Sequence, residues 1–121
     1  FETTIRALGG LLAAHSLSGE AVFLHKAEDL GDRLAACFNS ASGIPFGHVN
    51  LQGGGGANAG WSGGASVLAE LGTLQLEYRY LGVHAKRPDF VAKANKVWEI
   101  MHKKQPGNGL FPIYVSAETG G

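Results

Sequence analysis

Glu2, Arg6, Glu70 and Glu77 are the side chains whose types and spacing suit acid–base chemistry. On a helix, Glu2 and Arg6 stand one turn apart and share a face with Gly9 and Gly10, because positions i, i+4 and i+7 or i+8 stack. Ile5, Leu8 and Leu12 then fall on a second, apolar face. Glu70, Thr73 and Glu77 form another polar stripe, separate from the apolar stripe of Leu71, Leu74, Tyr78 and Leu81. On one continuous helix the two glutamates would lie two turns apart, about 10 Å at 1.5 Å rise per residue. Taken singly, Glu2–Arg6 is a solvated i,i+4 pair worth a few tenths of a kcal/mol, and Glu70 and Glu77 are surface acids. Taken together, acids on the stripe opposite the packing stripe suit helices that pack outward and present carboxyls to a lumen. Glycoside hydrolysis needs such carboxyls, one to protonate the leaving oxygen and another to activate water or attack the sugar.

These side chains need elements to hold them. The apolar spacing predicts a first helix over Thr3 to Leu17, stopped by Ser18-Gly19. A second runs over Glu20 to Phe38, with Phe23, Ala27, Leu30, Leu34 and Phe38 at amphipathic spacing. Asn39 to Ala65 is non-helical. Within it Gly43 to Asn50 reads as a short strand or hairpin arm, and a Gly-rich part follows from Gly53 to Gly64. A stretch this long is more often functional than not. A third helix is expected over Ser66 to Leu81, with Ser66 as N-cap. A fourth runs over Pro88 to Lys104, with Pro88 in the first turn and Phe90, Ala94, Val97 and Met101 as its packing face. Leu110 to Ser116 reads as a strand. Phe23, Lys26 and Ala27 recur at a fixed offset as Phe90, Lys93 and Ala94, and Gly43-Ile44-Pro45-Phe46 is echoed by Gly109-Leu110-Phe111-Pro112. The unit is a helix pair followed by a loop with a strand, and such units need neighbours to bury their faces.

Composition removes several classes of function. The chain has 121 residues, 45% of them hydrophobic and 17% charged, with formal net charge +0. No basic stripe is present to meet nucleic-acid phosphates or an anionic membrane surface. The longest apolar run, Ala7 to Ala14, falls far short of the ~20 residues of a membrane span. The Gly-rich segment lacks the Gly-Lys-Ser/Thr ending of a P-loop and the strand–helix context of a dinucleotide fingerprint. The histidines His15, His25, His48, His84 and His102 are scattered, which gives a zinc site no support. Cys37 sits in an apolar helical pattern and reads as a buried thiol. With no initiator Met and a start inside a helical pattern, we expect a piece of a longer protein, truncated at both ends.

The run Phe1-Glu2-Thr3-Thr4-Ile5-Arg6-Ala7-Leu8-Gly9-Gly10-Leu11-Leu12-Ala13-Ala14-His15 strongly resembles a signature of the class I α-1,2-mannosidases, glycoside hydrolase family 47. So do Leu17-Ser18-Gly19-Glu20, Ser42-Gly43-Ile44-Pro45, Val49-Asn50-Leu51 and Gly109-Leu110-Phe111-Pro112. The stretch from Trp61 to Tyr78 looks most like the Golgi branch. The likeness covers essentially the whole chain in order. It departs in the Gly53–Gly56 run and at Ala35-Ala36-Cys37, which puts the shape of the loop in question rather than the family.

The resemblance implies an all-α fold, part of an (α/α)7 barrel to which residues 1–121 contribute about two helix pairs with long loops carrying short β-hairpins. It implies a partial catalytic domain of a calcium-dependent, inverting hydrolase that removes terminal α-1,2-linked mannose from high-mannose N-glycans on glycoproteins. Glu2 matches the family's proposed general acid, acting through a water, and Arg6 an arginine beside it. Glu70 matches an acid lining the glycan pocket, and Glu77 is a further substrate-binding candidate. The general base, the remaining catalytic acid and the calcium ligand are expected outside these residues, with no metal ligand within them. The implied setting is the secretory pathway, in the Golgi or endoplasmic reticulum, with any membrane anchor elsewhere. Alone, the chain is expected to be inactive and not to fold independently. An alternative within the same fold is a glycan-recognition protein acting in endoplasmic-reticulum degradation of misfolded glycoproteins. A helical-repeat interaction scaffold would leave the Glu2–Arg6 stripe unexplained.

Overall fold

The first helix of the computed structural model, which describes residues 1–121, begins out of register. A π-helical turn, Thr4–Leu8, runs straight into α1, Gly9–Ser18. The Gly9 N–H reaches back five residues to the Thr4 carbonyl, so the turn holds one residue more than an α turn would. Thr4, Leu8 and Leu12 are buried as a result, while Ile5 is 37% exposed. The expected apolar face of Ile5, Leu8 and Leu12 is corrected at Ile5, because a 3.6-residue period does not survive the wider turn.

Gly19 ends α1 at φ +73°, donating its N–H to the His15 carbonyl at 2.8 Å. This left-handed stop needs a glycine. It lets α2, Ala21–Leu34, fold back on α1, and a 3₁₀ turn, Ala35–Phe38, prolongs it. The second predicted helix is therefore present over nearly its full length. Pro88 opens α5, Pro88–Lys103, whose Phe90, Ala94, Val97 and Met101 are all buried, as their spacing predicts.

The predicted third helix is three pieces. Ser66–Val67 is strand β3, Leu68–Leu71 is a single turn, α3, and Gln75–His84 is α4. Ser66 is no N-cap: its buried hydroxyl donates to the Pro45 carbonyl at 2.8 Å. The break after α3 has a side-chain cause. The Thr73 hydroxyl donates to the Ala69 and Glu70 carbonyls at 3.1 and 3.2 Å, and Gln75 Nε2 donates to the Leu71 carbonyl at 2.9 Å. Side chains thus take up carbonyls that a continuous helix would give to backbone N–H groups.

Strands are short. β1, His48–Val49, pairs antiparallel with β2, Gly56–Ala57, in register His48↔Ala57. β3 pairs antiparallel with β4, Tyr114–Val115, in register Ser66↔Val115. The predicted strand over Leu110 to Ser116 thus shrinks to two residues. The Gly-rich run closes the β1–β2 hairpin: Asn50 Oδ1 accepts the N–H groups of Gln52 and Gly53 at 2.9 and 3.0 Å, and Gly54 turns at φ +74°. The fold is all-α with these hairpins in its loops.

α1 packs on α2, α2 on α4, and α4 on α5, with α1 also touching α4. Tyr78, fully buried, sits where they meet. Its ring lies edge-on to Phe38 at 5.1 Å and Phe90 at 5.5 Å, and its hydroxyl donates to the Gly31 carbonyl at 3.2 Å. Burial raises its pKa. Cys37 is a free, buried thiol that burial pushes up to about 12. Arg87 braces α2 to the start of α5, pairing with Glu28, Asp32 and Asp89 at 3.2, 2.8 and 2.9 Å. Its guanidinium also lies over the Phe90 ring at 4.2 Å. No helix is long and apolar enough to cross a membrane.

Candidate active site

Glu2 and Arg6 form an ion pair at 3.2 Å, with side chains 68% and 77% exposed. At such exposure the pair adds little stability, so it is free to serve another purpose. Glu2 lines a cleft of about 500 Å³ together with Phe1, Thr3, Leu34, Gly47, His48, Val49, Leu51 and Glu70. Two of the carboxyls singled out by spacing therefore share one concave surface, and Arg6 borders it through its pairing with Glu2.

Three parts of the chain build this cleft. The start of the first helix supplies Glu2, α3 supplies Glu70, and the loop around β1 supplies the wall. The wall is pinned by backbone bonds: Phe46 N–H donates to the Cys37 carbonyl at 2.9 Å, and the Phe1 backbone nitrogen donates to the Gly47 carbonyl at 3.1 Å. Asn58 ties the loops together. Its Oδ1 accepts the Gly47 N–H at 2.7 Å, and its Nδ2 donates to the Gly64 carbonyl at 3.0 Å and to the Ser66 hydroxyl at 3.1 Å. A half-buried amide used in both directions fixes loops that have little secondary structure. Gly47 has a steric role as well, since a Cβ there would stand 2.8 Å from Glu70 Oε2. A side chain there would make the Glu70 carboxylate, the free end of a flexible side chain, shift away from the wall.

Asn58 and Gly47 were missed by sequence reasoning. The available signal was an asparagine inside a Gly-rich stretch, a residue type that bonds loop backbone in both directions.

Glu77 stands apart. It faces a second cleft, of about 290 Å³, with Gly9, Leu12, Ala13, Ser16, Leu76 and Tyr80. The break after α3 separates it from Glu70, so the expected stripe of Glu70, Thr73 and Glu77 does not form, and the Thr73 hydroxyl is engaged by backbone. Glu77 is 9% exposed, its Oε2 has no hydrogen-bond partner, and burial raises its pKa. Crowding explains neither glycine of the opening run within this chain. A Cβ at Gly10 would meet nothing within 4 Å, and one at Gly9 would make ordinary contact with Glu77 at 3.5 Å.

Of the histidines only His48 lines the first cleft. His15 and His84 group with Tyr80, whose ring stacks on His84 at 4.1 Å. No group of three or more His, Cys, Asp or Glu side chains converges to hold a metal ion. These residues therefore offer calcium no cage of carboxylates. Chemically, the first cleft offers two oxygen acids, one of them paired to the Arg6 guanidinium, and a wall of mixed polar and apolar groups, a set suited to a neutral, hydroxyl-rich ligand.

The sequence profile of glycosyl hydrolase family 47 matches residues 1–121. The chain is 44% identical over 120 residues to mannosyl-oligosaccharide 1,2-alpha-mannosidase MNS1 of Arabidopsis thaliana, covering 98% of this chain and 21% of that protein. It is 43% identical over 121 residues to mannosyl-oligosaccharide 1,2-alpha-mannosidase IB of Homo sapiens, covering 99% and 19%. A mannosyl-oligosaccharide 1,2-alpha-mannosidase of Candida albicans is 43% identical over 120 residues, covering 99% and 21%. The chain spans about a fifth of the length of the curated relatives it matches.

Proposed function

This chain belongs to glycosyl hydrolase family 47, and from that premise we propose that it is part of the catalytic domain of an inverting α-1,2-mannosidase acting on high-mannose N-glycans of glycoproteins. The observation that carries the reading is the cleft in which Glu2 and Glu70 face one another's surroundings, with Arg6 paired to Glu2 at 3.2 Å. The names of the relatives support the substrate class.

In this reading Glu2 is the general acid that delivers a proton to the leaving glycosidic oxygen through a water. Arg6 orients the Glu2 carboxyl, and both Arg6 and Glu70 bind sugar hydroxyls. The Phe46–Val49 wall, fixed by Asn58, closes one side of the cleft and limits water there. Inversion needs a second carboxylate about 6.5–9.5 Å from the first, with a water between them. That base comes from residues outside this chain, as do the ligands for calcium. The helix pairs α1–α2 and α4–α5 are two units of an (α/α)7 barrel whose inner stripe carries Glu2. The whole protein works in the secretory pathway, in the Golgi or endoplasmic reticulum, with any membrane anchor outside these residues.

The test is release of mannose from a high-mannose N-glycan by the full-length protein, with and without a calcium chelator. Calcium-dependent release is expected. Glycan binding without release would favour a recognition protein instead. Glu2→Gln should lower kcat by about 10²–10⁴-fold, the usual worth of a positioned general acid, while glycan binding survives. Unchanged turnover in that variant rules out Glu2 as the acid.

A further inference from the structure

Of the asparagines Asn39, Asn50, Asn58, Asn95 and Asn108, only Asn108 is followed by a glycine. Asparagine carries a latent reaction of its own. The backbone nitrogen of the next residue can attack the side-chain carbonyl carbon and expel ammonia. A side chain on that next residue crowds the attack, and glycine has none. Ser40, Leu51, Ala59 and Lys96 follow the other asparagines. Structure adds to this contrast. Asn58 uses its amide in both directions, Asn95 lies within α5 and accepts from Arg79 Nε at 2.8 Å, and Asn50 Oδ1 holds the N–H groups of Gln52 and Gly53.

Asn108 stands in the turn that leaves α5, where residues 102–110 are all exposed. Its Oδ1 accepts the Leu110 N–H at 3.1 Å. This Asx turn folds the side chain over the peptide that follows it, and the accepted bond draws electron density from Cγ. Nδ2, the leaving group, makes no hydrogen bond within the chain. One bond opposes attack: the Gly109 N–H is held by the Pro106 carbonyl at 2.9 Å. It closes a single exposed turn, and such turns open at a small fraction of the global unfolding free energy. We propose that Asn108 is a self-modification site, which converts in the folded protein through a cyclic imide to aspartyl and isoaspartyl forms.

The Gly109 nitrogen gives its proton to solvent and bonds to Asn108 Cγ. The Cγ–Nδ2 bond breaks, and ammonia leaves with a proton taken from solvent. Water then opens the five-membered imide at either carbonyl. Opening at one restores the ordinary backbone with a carboxylate at position 108. Opening at the other routes the backbone through the side-chain carbon. One water is consumed and one ammonia released, with no oxidant or other co-reactant. Both products add a negative charge beyond Lys103 and Lys104 at the end of α5. The isoaspartyl form also adds one atom to the backbone leading to β4, the strand that pairs with β3 ahead of α3.

The test is ageing of the folded full-length protein in mildly alkaline buffer at physiological temperature. Samples are read by peptide mass and by labelling with an isoaspartyl methyltransferase. Position 108 should exchange its amide for a carboxyl faster than any other asparagine, with the isoaspartyl product present and the rate rising with pH. Asn108→Gln should abolish the label at this position. An Asn108 that stays intact overturns the proposal, and so does faster conversion at Asn39, the other exposed asparagine whose side chain is untied. Conversion to the aspartyl form alone overturns the cyclic route. Should Asn108→Gln fail to fold, the isoaspartyl label mapped on the wild-type peptide decides by the same criteria.

Discussion

The carboxyls of this chain differ in environment, and the environment sorts them by role. Glu2 is exposed and paired to Arg6, Glu70 is half-buried beside a glycine wall, and Glu77 is buried with an oxygen left unpaired. Residue types and spacing marked all three acids as candidates, yet spacing carries no burial, so it put Glu70 and Glu77 on one stripe. Burial of Glu77 has a thermodynamic consequence. It raises the carboxyl above its ordinary value of 4.5. The folded protein then holds this proton more tightly than the unfolded chain does. The associated stability is complete below the unfolded value and is lost as pH rises through the raised folded value. Gln at position 77 cannot ionise. The melting temperature of Glu77→Gln minus that of wild type should therefore be smallest below pH 4.5, widen as pH rises, and level off once the folded carboxyl has ionised. Thermal melts of the two full-length proteins across pH give the answer. A difference that stays flat, or narrows with rising pH, contradicts the burial.

At the scale of elements, legibility followed the strength of the amphipathic period. In α5 all four expected packing residues are buried, and α2 ends near its expected place with its 3₁₀ extension. The wide turn at Thr4–Leu8 left no trace, because a π turn differs from an α turn by one hydrogen-bond register and not by composition. The break after α3 did leave one. Gly72-Thr73 pairs a weak helix former with a hydroxyl that competes for backbone carbonyls. Two further glycines, at helical positions, mark close approaches that periodicity does not reveal. A Cβ on Gly31 would collide with Leu81 Cδ2, where α2 meets α4. A Cβ on Gly82 would stand 2.6 Å from Val91 Cγ2 and 2.8 Å from the Arg87 carbonyl, where α4 meets α5. Ala is favoured over Gly in a helix interior by roughly 1 kcal/mol, so propensity alone makes Gly82→Ala stabilising. Overpacking against a backbone carbonyl that cannot swing aside costs about 1–3 kcal/mol. We expect the second effect to win, with a net loss of about 1 kcal/mol or more in urea unfolding of the full-length protein. A gain would mean that α4 and α5 stand further apart than described.

For the whole molecule, the decisive feature is the apolar surface left uncovered. Leu76 is 77% exposed and Val83 68%, and they border a common groove with Tyr80 on α4. Leu110 at 72% and Ile113 at 67% stand out on the segment leading to β4, Trp61 at 71% on the turn before β3, and Leu17 at 90% at the end of α1. Scattered exposed leucines are ordinary, whereas several large side chains gathered on one helix face ask for a partner. The core answers to the same description, for Tyr78, Phe90 and Leu81 are sealed between two helix pairs that present further apolar faces outward. Helix-pair repeats gain their stability from neighbours as well as from within. In the proposed barrel those neighbours come from the rest of the protein. The expected behaviour of residues 1–121 expressed alone is then specific. The chain should bind a hydrophobic dye, self-associate, melt without a sharp cooperative transition and release no mannose, whereas the full-length protein should do the opposite on each count. Light scattering, dye fluorescence and calorimetry on the two preparations separate the cases. A monomeric 121-residue chain with a sharp calorimetric transition would mean that two helix pairs suffice as a folding unit, and the proposed ring would lose its main structural support.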